Sequence, residues 1–401
     1  MMRSIALLGL GLVTICDLVE SANLGQVKIK LEHTVEIVPT GTGLGRGMLG
    51  VVRHPDGSIF VNTQTFGLAK STGGGQTWTA VPAENAFALG VSRDGKLWLA
   101  NQGSHRKTLF VRRSADGGRR WETTMINGGA FAPDAPRHPY SWVGDDYNTF
   151  LEHPDGTLMF SAGMRYLPWF YEDESLMIDG LVRPDADVGG LMMLRSTDGG
   201  RSWGDMTLVH PFASEVGYAM DPENPRRILA MTRIQRPLLA GEDREATLKK
   251  TGAPATVKSE APSIYKNGLL LESEDGGRTF HEVPGGLTEF YEIRGTILWA
   301  QNNTVVVTHQ GAHPGGGPDG RLLARISLDG GSSWLNGTRT GTPFMNQSTK
   351  FVLLPYPPGH SFTAPTVEVS DNRFLTVYFH GNLSQNRAMV SGVFWHLENP
   401  R

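Results

Sequence analysis

Asp145 and Asp146 stand side by side in a stretch that also holds Tyr140, Trp142 and Tyr147. A carboxylate crowded by aromatics is poorly solvated, which raises its pKa toward the range where it donates a proton as a general acid. Glu215 is a further carboxylate of interest, suited to act as a base toward a water or a tyrosine. Four histidines, His309, His313, His360 and His380, offer acid or base chemistry later in the chain. His309 and His313 stand four residues apart, but no further histidine or cysteine at ligand spacing accompanies them, so neither a metal nor another cofactor is expected. Tyr166 and Trp169 present ring faces on which a sugar can stack, whereas the run Glu172, Asp173, Glu174 reads as solvated surface. All of these residue types also occur as ordinary packing or surface. Their chemistry therefore depends on whether the fold carries them to one place.

The elements that do the carrying are marked by a repeat. The frame S-x-D-x-G-x-x-[WF] begins at Ser71, Ser114, Ser196, Ser273 and Ser327. In the last four copies Asp116, Asp198, Asp275 and Asp329 precede a Gly-Gly pair, and Trp121, Trp203, Phe280 and Trp334 close the motif. The first copy has Gly73 in place of the Asp and ends at Trp78. A short Asp side chain accepts bonds from backbone N–H groups just ahead of it, and paired glycines supply positive φ, so each copy reads as a tight hairpin turn. The aromatic then returns on the next strand and packs. Successive copies are 43, 82, 77 and 54 residues apart. That spacing suits one four-stranded sheet per repeat, with long insertions in two of them.

This pattern resembles the Asp-box repeats of the sialidase (neuraminidase) superfamily, over nearly the whole chain. The resemblance implies an all-β fold, a six-bladed β-propeller of four-stranded antiparallel blades, with the boxes on the face away from substrate. Strand and turn signals divide the chain accordingly. Blade one begins near Arg46 and turns at Pro55, Asp56 and Gly57; blades two and three turn at Asp94-Gly95 and Asp155-Gly156. Blade four turns over 221–225, blade five at Asn302 and Asn303, and blade six over 370–372, with no box of its own. A strand from His33 to Pro39 is expected to complete the last blade and leave no open edge. The first-to-second-strand turns and the boxes then share one face. The insertions Arg165 to Gly190 and Arg233 to Lys266 fall between second and third strands, and so rim the opposite, binding face.

Sialidases hold the substrate carboxylate with three arginines, whose planar guanidinium groups match it through paired charge-assisted hydrogen bonds. The resemblance carries these roles to Arg46 before blade one, Arg233 after the second strand of blade four, and Arg321 opening the third strand of blade five. Arg165, Tyr166 and His313 are further candidates for substrate contact. Glu215, 18 residues before Arg233, looks like the glutamate of the family's Glu-then-Arg pair. The family's Tyr nucleophile is absent: the matching stretch is Ser361, Phe362, Thr363, Ala364. Its Asp acid is absent too, since the blade-one loop over 63–66 reads Thr-Gln-Thr-Phe. Asp145 or Asp146 then stands as the replacement acid, and attack by a base-activated water, inverting the anomeric centre, becomes the expected route.

The 401 residues are 39% hydrophobic with a formal net charge of -3 and no basic-aromatic array, so a nucleic-acid partner is not expected. Arg3, the apolar stretch Ile5 to Cys16, and the small residues Ser21 and Ala22 read as a signal peptide over 1–22. That stretch is too short for a membrane span. Residues 23–401 are then one propeller domain, secreted or periplasmic, without a thiol, because Cys16 is the only cysteine. Ile15 is bulkier than a lipoprotein site normally takes before its acylated cysteine. The expected function is a sialidase-like glycoside hydrolase acting on a terminal anionic sugar of glycans. A non-catalytic propeller that binds glycan or protein, and a uronate polysaccharide lyase, stand beside it. Oligomeric state, and the use of the sequons at Asn302, Asn336, Asn346 and Asn382, are not legible from sequence.

Overall fold

The computed structural model describes residues 27–38, 49–63, 67–84, 86–102, 108–127, 141–143, 148–165, 177–178, 181–182, 189–258, 264–313, 318–336, 341–355, 363–382 and 387–400. Six antiparallel sheets stand in a ring, each with four strands laid from the centre outward. Blade one is Gly50–Arg53, Ile59–Thr63, Gly67–Ser71 and Thr79–Val81. Blade two is Ala88–Val91, Leu97–Gln102, Thr108–Ser114 and Glu122–Asn127. Blade three is Leu151–Glu152, Leu158–Arg165, Gly189–Ser196 and Gly204–His210. Blade four is Ala213–Met220, Ile228–Arg236, Tyr265–Ser273 and His281–Leu287. Blade five is Thr296–Trp299, Val305–Ala312, Pro318–Ser327 and Phe351–Leu354. Blade six is Thr366–Ser370, Arg373–Asn382 and Arg387–Glu398, completed by Lys28–Val38 from the other end of the chain.

The expected architecture and the order of its turns hold, with three adjustments. The closing strand runs Lys28–Val38, starting earlier than His33, because its register continues to pair Lys28 with Glu398. Its Glu32 accepts from Arg373 Nε at 2.8 Å and from Arg373 Nη2 at 2.6 Å, which fastens the outermost strand to the second strand of the same blade. Blade one begins at Gly50, and Arg46 lies outside the described residues. In blade three the inner position is divided. Ser141–Val143 pairs with the second strand beyond Leu151–Glu152, while Asn148–Thr149 turns aside to run parallel to Ala88 and Leu89 of blade two.

Burial follows position in the ring. An inner strand is sandwiched between neighbouring blades, so seven of the eight residues of Ala213–Met220 are buried without alternation. An outer strand has one open face, and Met125 on Glu122–Asn127 is 62% exposed. Between blades two and three the core is aromatic: Phe150 stacks on Phe160 at 4.8 Å and Trp203 meets Phe160 edge-on at 4.9 Å.

The five turns work as their residues predict. In each, the Ser Oγ accepts from the second glycine N–H at 2.7 to 2.9 Å. In the four with Asp, Oδ1 accepts from N–H groups three or four residues on at 2.8 to 3.0 Å. The two glycines differ in what they permit. Gly199 has φ +70 and nothing within 4 Å of the place a Cβ would take, whereas a Cβ at Gly200, φ +79, would lie 2.4 Å from the Trp98 ring of blade two. The first glycine serves the turn, and the second also lets the turn press onto the preceding blade. Gly199→Ala is expected to cost about 1–2 kcal/mol, the left-handed penalty of an L residue. Gly200→Ala should cost at least about 1 kcal/mol more, because the Trp98 contact adds overpacking. Urea denaturation of the two variants checks this, and equal losses would refute the packing role.

These bonds also set the acid limit of the fold. The Arg120 N–H leads the donors that hold Asp116 at about 2, and the Arg373 guanidinium leads those that hold Glu32 at about 2. The Ser202 hydroxyl heads those that lower Asp198. Their unfolded values are near 4, so the folded chain binds protons less readily than the unfolded one. The stability they add is complete above about pH 4 and is lost as pH falls toward 2. The urea midpoint is therefore expected to drop steeply below pH 4, and a midpoint unchanged between pH 4 and 2.5 would contradict this.

Candidate functional site

Contacts between blades fix which face carries the turns. The strand-one-to-two turn of blade one meets that of blade two, with His54 Nε2 2.7 Å from Gly95 O. The corresponding turn of blade four meets the Ser-Asp-Gly turn of blade five, where Arg227 Nη1 donates to Gly330 O at 2.7 Å. The opposite face therefore collects the strand-two-to-three loops and the blade-to-blade connections. Down the centre runs a cavity of about 280 Å³, lined by the first strands of all six blades, with Thr149, Tyr218, Thr296 and Thr366 among its polar residues.

Glu215 lies where the chain enters blade four from the binding face. The ladder pairs Ser214 with Arg233 and Val216 with Thr232, so Glu215 is the extra residue of a β-bulge, and its φ is +47. A left-handed glutamate costs about 1–3 kcal/mol and persists only where packing over-determines it. Such bulges are frequent beside functional sites, where they re-aim a side chain. Here the re-aimed carboxylate is only 4% exposed as a residue. Its Oε1 accepts from Arg233 Nη1, and Arg233 Nη2 donates to Gln235 Oε1. Its Oε2 is buried with no hydrogen-bond partner among the described residues.

The described part of the blade-four insertion is fastened by its own contacts. Arg236 grips Glu242 through two bonds of 2.8 and 2.7 Å and lies over the Tyr265 ring at 3.7 Å. The helix Arg244–Thr251 follows, capped by Asp243, whose Oδ1 accepts from Ala246 N at 2.7 Å. Asn267 Nδ2 then donates to Thr251 O at 2.9 Å, which ties the helix end to the third strand.

The expected site residues fare unequally. Glu215 and Arg233 are brought together, but Arg233 lies inside the second strand and not after it, because the ladder to Tyr265 carries that strand on to Arg236. Arg321 does not open its strand either; the strand starts at Pro318, and Arg321 N and Nε donate to Asp319 at 2.9 and 2.5 Å. Asp319 has a side chain only 6% exposed. Two arginines expected to form a carboxylate clamp thus already hold carboxylates of the protein. His313 is exposed just past Ala312, at the end of the second strand of blade five. Arg165 ends the second strand of blade three, with its backbone opposite Gly189. Arg46, Asp145, Asp146 and Tyr166 lie outside the described residues, as do Trp169 and His360.

His309 is not part of the face. It is fully buried, donates or accepts only within a packed network, and is held at about 4, chiefly by burial. That network is not visible in the sequence. Arg325, fully buried in the third strand of blade five, donates from Nε to His309 Nε2 at 3.1 Å and from Nη2 to Glu292 Oε2 at 3.1 Å. Lys350 Nζ lies 2.7 Å from Glu292 Oε1. Equally silent in sequence are Ser214, Gln310 and Thr363, each nine-tenths buried or more, whose Oγ, Oε1 and Oγ1 respectively have no partner among the described residues. By residue type they read as ordinary strand or loop residues.

No family model matches the chain, and no curated protein matches it. Solved structures do. A protein of unknown function from Dyadobacter fermentans is 16% identical, with 92% of this chain and 99% of that one covered at a TM-score of 0.56. A Hadza microbial sialidase is 14% identical, with 90% and 68% covered and a TM-score of 0.53. An α-L-arabinofuranosidase of Fusarium graminearum, in complex with an iminosugar inhibitor, is 13% identical, with 91% and 98% covered and a TM-score of 0.56. The chain shares their six-bladed propeller fold. At these identities the likeness is one of architecture, and the chemistry has to be argued from this chain's own residues.

Proposed function

We propose that the protein is a glycoside hydrolase whose site lies on the face opposite the Ser-Asp-Gly turns, with Glu215 as its reacting carboxylate. The observation that carries this reading is the geometry of Glu215: a buried carboxylate on a strained bulge, one oxygen fixed by Arg233 and the other left open. A base toward water needs that combination of fixed orientation and a free lone pair. Propeller neighbours that are a sialidase and an arabinofuranosidase support a glycan as substrate. Asp145 or Asp146, which stand in sequence between Ser141–Val143 and Asn148–Thr149, is the acid in this proposal. The N-terminal apolar stretch supports export of the protein.

The test is release of the aglycone from a panel of 4-nitrophenyl glycosides by the full chain, compared with Glu215→Gln. Turnover that the substitution leaves untouched would sink the assignment. A terminal anionic sugar, the finer expectation from the sequence, depends on Arg46, Arg233 and Arg321, and the pairings of the last two weaken its support. A second reading, a glycan-binding propeller without hydrolysis, is favoured by Phe362 and Thr363 standing where a nucleophilic Tyr is expected. It predicts saturable glycan binding with no product.

A further inference from the structure

We infer that the site takes an uncharged, hydroxyl-rich sugar rather than an anionic one; this rests on the reading of the face as a glycan site. The first ground is the state of the two expected cations whose side chains the structure describes. Arg233 is matched by Glu215 and Arg321 by Asp319, so each guanidinium is neutralised within the protein. A substrate carboxylate would meet guanidinium groups whose charge is already balanced and would approach the protein's own carboxylates at close range.

The second ground is the set of atoms left open. Blades four, five and six abut around Gly217, where a Cβ would lie 3.1 Å from Ile297 N and 3.2 Å from Thr296 Cα. Thr296 and Thr308 both donate to Ala364 O, at 3.2 and 2.5 Å. Ser214 and Glu215 precede Gly217 in the inner strand of blade four, Thr363 precedes Ala364, and Gln310 follows Thr308 in a strand running toward the binding face. All four therefore lie on the binding-face side of this three-blade contact. Their open atoms are two pure acceptors, Glu215 Oε2 and Gln310 Oε1, and two hydroxyls, Ser214 Oγ and Thr363 Oγ1. Buried acceptors are satisfied by donors, and a hydroxyl turns to suit either role. Sugar hydroxyls supply donors, so the two open acceptors call for hydroxyls and neither calls for a substrate carboxylate.

The experiment is a matched comparison of 4-nitrophenyl glycosides: α-L-arabinofuranoside and β-D-galactoside as neutral substrates, N-acetylneuraminide and β-D-glucuronide as anionic ones. The expected result is a kcat/KM on the better neutral substrate at least 100-fold above either anionic one. Its KM should also be unchanged between 20 and 500 mM salt, because no charge is recognised. Faster turnover of an anionic glycoside, or a KM that climbs with salt, overturns the inference and leaves the hydrolase reading standing. Absence of turnover on all four defeats the hydrolase reading instead. Calorimetric titration with arabino-oligosaccharide and with sialyllactose then decides the inference: binding of the neutral glycan supports it, and binding of the anionic one, or of neither, overturns it.

Discussion

Replacing Glu215 with glutamine is expected to lower kcat on the responsive glycoside by about 10²–10⁴-fold, the span ordinarily contributed by a positioned acid or base. The substitution is close to isosteric. Its amide oxygen still accepts from Arg233 Nη1, so the bulge and the Arg233 to Gln235 bond have no steric reason to move. What disappears is the negative charge and the open Oε2 lone pair, and with them the ability to take a proton from water. KM should change little, because the lost interaction matters in the transition state more than in binding. Arg233→Lys separates positioning from chemistry. An ammonium keeps the charge but lacks the planar fork that reaches Glu215 and Gln235 at once. A roughly tenfold fall in kcat with KM nearly constant is expected, measured by the same aglycone release. If Glu215→Gln and the parent chain turn over at equal rates, Glu215 has no part in the reaction.

How far the sequence reaches depends on how local the chemistry is. The Ser-Asp-Gly turns are legible because each closes its hydrogen bonds within a few residues, and the aromatic that ends each frame is read with it. The order of blades follows from counting those turns. Strand ends are less legible: Arg233 reads as lying after its strand because nothing in Ile228–Arg236 shows that Tyr265 will continue the ladder three residues further. The bulge at Glu215 is also silent, since an inner strand buried on both sides shows no alternation for an extra residue to break. Arginine in a suitable place suggests an anion clamp, yet residue type cannot show that Asp319 returns to cancel Arg321, or that Glu215 serves Arg233. His309 misleads for the same reason, because an imidazole among strands reads alike whether it faces a groove or a buried guanidinium.

Arg325→Met is expected to destabilise the fold by about 3–5 kcal/mol, the cost of stranding one member of a buried ion pair. Arg325 is fully buried, and its Nη1 donates to Met345 O at 2.8 Å and to Ser348 Oγ at 3.0 Å, besides the bonds to His309 and Glu292. Methionine fills comparable space but satisfies none of these acceptors, and Glu292, 1% exposed, keeps Lys350 as its one ion-pair partner among the described residues. Adding Glu292→Gln removes the stranded charge, so the double variant should recover at least about 1 kcal/mol relative to the sum of the singles. Guanidinium denaturation at pH 7 reads both, and a loss below about 1 kcal/mol for Arg325→Met would show that the network contributes little. The pH dependence gives an independent check. His309 is neutral in the fold: Nδ1 lies 2.9 Å from Gln310 O and donates to it, which leaves Nε2 to accept from Arg325 Nε. Burial first, and the Arg325 charge with it, lowers His309 to about 4, against about 6.5 unfolded. The unfolded chain therefore takes the proton first, and this contribution to stability is whole above pH 6.5 and falls as pH drops toward 4. Removing the Arg325 charge raises the folded pKa and narrows that window. Stability should then fall less between pH 6.5 and 4 in Arg325→Met than in the parent chain, and an equal or steeper fall would mean that the histidine does not feel the guanidinium.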